Sequence, residues 1–117
     1  MIEPTWPYGM AIEVFTRDAL VEANREARAQ AEREHVTPFI YWRPHRYRLK
    51  SLVRKPDLSF HRWTVDTPED FELVSRIIEV LYPRKPQFDL QDVLTLLGQY
   101  PTWTKINAHV QQKSVLP

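Results

Sequence analysis

Apolar and polar positions alternate over short stretches and then switch to helical spacing. Residues 10–15 mix apolar side chains with a single acid, Glu13, and predict a short strand. Thr16 follows as a plausible N-cap, with Asp18 adding favourable charge in the first turn. A helix then runs to about Glu34 through good helix formers, with a thin stripe at Leu20, Ala23, Ala27 and Ala31. Such a stripe allows close packing but builds no core alone. Pro38 and Pro44 bracket an irregular aromatic segment. Residues 47–53 alternate loosely and predict a strand that carries Arg46, Arg48 and Lys50 outward. Pro56 and Asp57 mark a turn, and residues 58–65 predict the next strand.

The best-determined element comes next. Thr67 can cap a helix, Pro68 suits its first position, and Asp70 can complete a capping box. Phe71, Val74, Ile77, Ile78 and Leu81 recur at helical spacing, and Pro83 and Pro86 end the run. A last helix starts at Asp89, with Asp92 three residues on, and carries Leu90, Val93, Leu94 and Leu97. Gly98 is expected to stop it in a left-handed turn, with Pro101 beyond. Strand, helix, irregular segment, two strands and two helices make an α/β or α+β layer, expected as one domain over 1–117.

Composition narrows the function classes. The chain has 117 residues, enough for one core, and no cysteine, so no disulfide forms and a cytoplasmic setting is expected. Two glycines, Gly9 and Gly98, leave no glycine-rich phosphate loop. Apolar runs are too short for a membrane span, and the N-terminus has no signal-peptide profile. The net charge is +1, but its distribution is uneven. Residues 41–62 carry seven Lys/Arg against one acid, interleaved with aromatics, while the flanks are mildly acidic. That segment is a minor candidate for nucleic-acid binding.

Few residues stand out for chemistry. Asp66 lies between a strand end and a helix cap, where a carboxylate can hold Mg²⁺ or simply favour the helix's positive end. Glu13 is either a ligand-facing acid or the solvent face of an edge strand. Glu34 beside His35 could orient an imidazole near the proline break. No histidine pair has zinc spacing, and no serine lies in a nucleophile elbow.

Four runs suggest a family: Glu13-Val14-Phe15, Arg33-Glu34-His35-Val36-Thr37-Pro38-Phe39-Ile40, Arg62-Trp63-Thr64-Val65-Asp66-Thr67-Pro68-Glu69-Asp70, and Ile106-Asn107-Ala108-His109-Val110. Their order and spacing resemble the C-terminal half of the cytidylyltransferases related to spore-coat polysaccharide biosynthesis proteins and sugar-acid cytidylyltransferases, over about 7–114. The resemblance implies a Rossmann-like fold, a three-layer mixed sheet with flanking helices. It implies transfer of CMP from CTP to a sugar or sugar acid, with Mg²⁺. It places Asp66 as a metal ligand, Glu13 toward the substrate, Glu34 and His35 near the sugar site or dimer contact, and Arg62 against an anionic sugar or pyrophosphate. Two departures matter. The phosphate-binding loop of the family's N-terminal half has no counterpart here, and Ala11 stands where members often have an acid. The expectation is therefore a chain inactive alone, completed by a missing N-terminal half or by homodimerisation. The alternative is a non-catalytic interaction module.

Overall fold

The structure is a computed structural model that describes residues 3–115. The predicted lead-in over 1–9 thus has its first two residues outside the described part. The chain divides into two compact units, one formed by 1–4, 12–53 and 112–117, the other by 5–11 and 54–111.

In the first unit, α1 (Arg17–Glu26) starts where expected. Thr16 Oγ1 accepts from the Ala19 amide at 3.1 Å. It ends much earlier than Glu34, and a separate α2 (Gln30–His35) follows. Side chains hold the break. The Arg28 guanidinium donates to the Arg25 and Ala27 carbonyls, both at 2.9 Å. The buried Glu32 carboxylate takes the Arg28 and Ala29 amides at the start of α2. α3 (Pro38–Tyr41) is a single turn begun by proline. Ala19, Ala23 and Ala27 pack with Phe39 and Ile40, and Tyr47 and Leu49 cover them. The alanine stripe is therefore real, but Ala19 takes the place expected for Leu20, which is exposed.

The second unit holds α4 (Pro68–Leu81), α5 (Leu90–Gln99) and a 3₁₀ helix (Pro101–Lys105). Both α-helices begin with the capping boxes read from the sequence, Thr67 with Asp70 and Asp89 with Asp92. Leu73 and Ile77 pack against Val93, Leu96 and Leu97, with Trp63, Trp103 and Ile106 at the margin. The buried face of α4 is thus rotated from the expected one, and Phe71 and Ile78 face outward. Gly98 does not stop α5 but lies inside it, and the helix ends at Tyr100 with φ −124°. Gly9 is the glycine with positive φ, at 104°. A Cβ there would overlap the Trp63 carbonyl, so only glycine fits this close approach.

The expected three-layer mixed sheet is absent. Among the described residues there is no strand, only an isolated parallel bridge between Tyr8 and Arg62. The Tyr8 amide donates to the His61 carbonyl at 2.9 Å, and the Trp63 amide donates to the Tyr8 carbonyl at 2.7 Å. The reason is physical: a strand exists only with a ladder partner. Segments 10–15, 47–53 and 58–65 have strand composition but do not pair with one another. The described protein is helical and irregular rather than Rossmann-like.

His61 is buried against Phe60 and Trp63, with ring centroids 4.1 and 5.1 Å away. Burial lowers its pKa from the ordinary 6.5. The folded state therefore favours the neutral ring. Its contribution is complete above pH 6.5 and is lost as pH falls toward the lower folded value. The urea midpoint should drop between pH 7.5 and pH 5, and the part due to this ring should vanish in His61→Phe. An unchanged pH dependence in that variant would count against the assignment.

Candidate functional site

The most ordered polar cluster lies at the entry to α4. Arg62 is buried at 8% exposure, and Asp70 is fully buried at 0%. The guanidinium meets the Asp70 carboxylate side-on: Nε donates to Oδ1 at 2.8 Å and Nη2 to Oδ2 at 2.9 Å. This two-point geometry is the strong form of an arginine–carboxylate pair. Nη2 also donates to Asp66 Oδ2 at 2.9 Å. Asn107 Nδ2 donates to Asp70 Oδ1 at 2.8 Å and to the Arg62 carbonyl at 2.9 Å. The Asp66 and Thr67 amides donate to Asp70 Oδ2 at 3.1 and 3.2 Å. The Arg62 guanidinium and these further donors hold the Asp70 carboxyl well below the usual carboxylate range. Arg62, raised in turn by the same pairing, lies under the Tyr8 ring, 5.2 Å from its centroid.

Of the expected site residues, Arg62 and Asp66 therefore meet. Asp66 keeps its side chain 61% exposed, at the mouth of the cluster. Arg62 is instead held inside the fold by two carboxylates. Asp70 and Asn107 are the members that spacing alone does not single out. Asp70 reads as an ordinary capping acid, and Asn107 is 37 residues further on.

Glu13, Glu34 and His35 fall in the other unit. Thr37 Oγ1 donates to Glu13 Oε2 at 2.7 Å, which brings Glu13 to the turn just after His35. Burial, and secondly the charge of Glu13, push the Tyr41 hydroxyl up. Glu34 and His35 are both exposed. Between them and Thr37, Val36 has φ 67° and ψ −58°, and the Thr37 amide donates to the His35 carbonyl at 2.7 Å. This is a three-residue γ-turn with positive φ, a strained conformation for a β-branched side chain.

Part of the basic stretch 41–62 is engaged in ion pairs within the fold. Arg43 pairs with Glu32 at 2.7 Å. Arg46 pairs with Glu26 at 2.7 Å and with Glu22 at 3.1 Å. With Arg62, three of its seven cations answer carboxylates of this chain. Among the described residues, no group of three or more His, Cys, Asp or Glu side chains could hold a metal by itself. No described helix is long and apolar enough to cross a membrane.

Spore coat polysaccharide biosynthesis protein SpsF of Bacillus subtilis is 31% identical over 101 residues, which cover 81% of this chain and 40% of SpsF. The chain is similar to a polysaccharide biosynthesis protein. The uncharacterized protein MJ1063 of Methanocaldococcus jannaschii is 33% identical over 111 residues, 91% of this chain and 44% of that protein. The chain thus spans less than half the length of either relative. No family model matches it. No solved structure matches it either.

Proposed function

We propose that this chain is the sugar-side part of a cytidylyltransferase-like enzyme, which moves CMP from CTP to a sugar or sugar acid for polysaccharide biosynthesis. The similarity to SpsF over 81% of the chain carries the reading. The arrangement around Asp66 supports it chemically. One exposed carboxylate is no metal cage, but Mg²⁺ commonly takes one or two carboxylates and completes its shell with water and substrate phosphates. Asp66 fits that role.

The chain's own residues then have distinct tasks. Asp66 presents an oxygen outward while Arg62 holds the other. Arg62 acts as a positioning residue rather than a substrate ligand, because leaving Asp70 would uncover a buried charge. Asp70 and Asn107 fix Arg62 in turn. In the other unit, taken by itself, Glu13 accepts from Thr37, and Glu34 and His35 are exposed just before the strained turn, where they offer polar groups to a hydroxylated ligand. Mg²⁺, when bound, neutralises charge on the nucleotide phosphates and orients them.

The test uses SpsF with its matching stretch replaced by this chain, supplied with CTP, Mg²⁺ and a panel of sugars and sugar acids. Pyrophosphate release is expected from the hybrid and not from the 117-residue chain alone. Asp66→Asn should abolish release while changing stability by less than about 1 kcal/mol, since the Asp66 side chain is 61% exposed and Arg62 keeps its two-point pair with Asp70. Full release by Asp66→Asn, or no release with any acceptor, would remove the reading.

A further inference from the structure

A cavity of about 380 Å³ opens in the second unit, between α5 and the 3₁₀ helix. Small-molecule sites span roughly 300–1,000 Å³, so the size is sufficient. Leu97 and Pro101 are among its apolar walls, and three polar side chains interrupt them: His61, Thr104 and Lys105. Apolar walls with a few polar groups are the ordinary make-up of a ligand site.

Two observations mark this space as more than a packing gap. The first is His61. Only 7% of the residue is exposed, and Phe60 and Trp63 lie against its ring. Among the described residues nothing hydrogen-bonds to the imidazole, and burial alone lowers its pKa. Buried polar side chains normally have a partner, so this ring keeps an unused donor and acceptor at the cavity. The second is Gly98, which also lines the cavity. It lies inside α5, where glycine is the poorest helix former after proline. Its φ is not positive, so no backbone conformation demands glycine. A Cβ there would meet no atom within 4 Å, so no crowded neighbour demands it either. Its missing side chain leaves room at the cavity wall.

Charge narrows the class of occupant. Lys105 is exposed at the rim, and no carboxylate among the described residues pairs with it. Thr104 adds a hydroxyl beside it, and no acid lines the cavity. We infer that this cavity binds a small carboxylic acid with an apolar body. The body lies against Leu97, Pro101 and the bare backbone of Gly98. The carboxylate meets the Lys105 ammonium and accepts from the His61 N–H. The site does not rest on the proposed function, and neither Asp66 nor Glu13 belongs to it.

The test titrates the 117-residue chain with phenylacetate and with hexanoate, each beside its uncharged amide. Two-dimensional NMR follows the backbone amides. Saturable shifts at Gly98, Thr104 and Lys105 are expected with at least one acid, and the better acid shows whether the body is aromatic or aliphatic. Lys105→Ala should weaken acid binding about threefold and leave amide binding unchanged, the size of a charge contact at a wet rim. His61→Phe keeps an aromatic ring against Phe60 and Trp63, and should weaken acid and amide alike by about fivefold through the lost hydrogen bond. Gly98→Leu puts a side chain into the open space and improves the helix, so it should abolish binding while raising the melting temperature. No saturable shift with either acid, equal affinity for an acid and its amide, or undiminished binding by folded Gly98→Leu would each overturn the inference.

Discussion

Asp70→Ala lowers the stability of this protein by about 3–5 kcal/mol, the range for removing one partner of a buried ion pair. Most single domains have only about 5–15 kcal/mol to lose. The carboxylate answers Arg62 at two points, Asn107, and the amides of Asp66 and Thr67. Without it, a guanidinium 8% exposed loses its two-point carboxylate and keeps Asp66 as a charged partner. The amide donors at the start of α4 lose their acceptor as well. Asp70→Asn retains the shape, but sets an amide against donors, so it should recover only part of the loss. Replacing both Arg62 and Asp70 by apolar residues would not be neutral, because the Asp66 and Thr67 amides would lose their carboxylate acceptor. Chemical denaturation at pH 7 measures the effect. Acid gives the same information in wild type. Because the folded pKa of Asp70 is lowered, its contribution is complete above the ordinary carboxylate pKa near 4 and disappears as pH falls below it. A flat stability profile between pH 5 and pH 2.5 would contradict this account.

Leu73→Ala comes next in size. Leu73 is 1% exposed and sits among Ile77, Val93, Leu96 and Leu97. Truncation removes transfer energy and leaves a cavity, together about 2–5 kcal/mol. Phe71→Ala, two positions earlier on the same helix, should cost the isolated chain less than about 0.5 kcal/mol because Phe71 is 64% exposed. Thermal melts of the two variants side by side decide whether α4 faces its core as described. Equal losses would put Phe71 back on the buried face.

This pair of variants also shows where sequence reading works and where it stops. The start of α4 at Thr67 and of α5 at Asp89 is local chemistry, with the cap and its partner three residues apart, and both are legible to the residue. The orientation of α4 is not, because the helix is apolar on two sides and periodicity cannot say which side this chain covers. The break between α1 and α2 is invisible for another reason. Helix propensity is high throughout, and the interruption is held by the particular reach of Arg28 and Glu32. The strands fail most clearly. Their composition is right, but a strand is a relation between two segments, and the described residues contain only one bridge of it. In the candidate site, Arg62 and Asp66 stand four residues apart in one motif and meet through their side chains. Asp70 and Asn107 both stand in the runs that carry the resemblance, but nothing local pairs them, since their roles depend on a contact across 37 residues.

That long contact has a consequence for dissecting the protein. Asn107 closes the second unit like a clasp, returning past α4 and α5 to the residue before the helix pair begins. A fragment containing both helices but ending at Tyr100 would retain the apolar packing of Leu73 on Leu96 and Leu97. It would lack the donor shared by the Arg62 carbonyl and Asp70. It would also lose Trp103 and Ile106 from the margin of that core, so any excision meant to preserve the mouth of Asp66 must extend through Asn107.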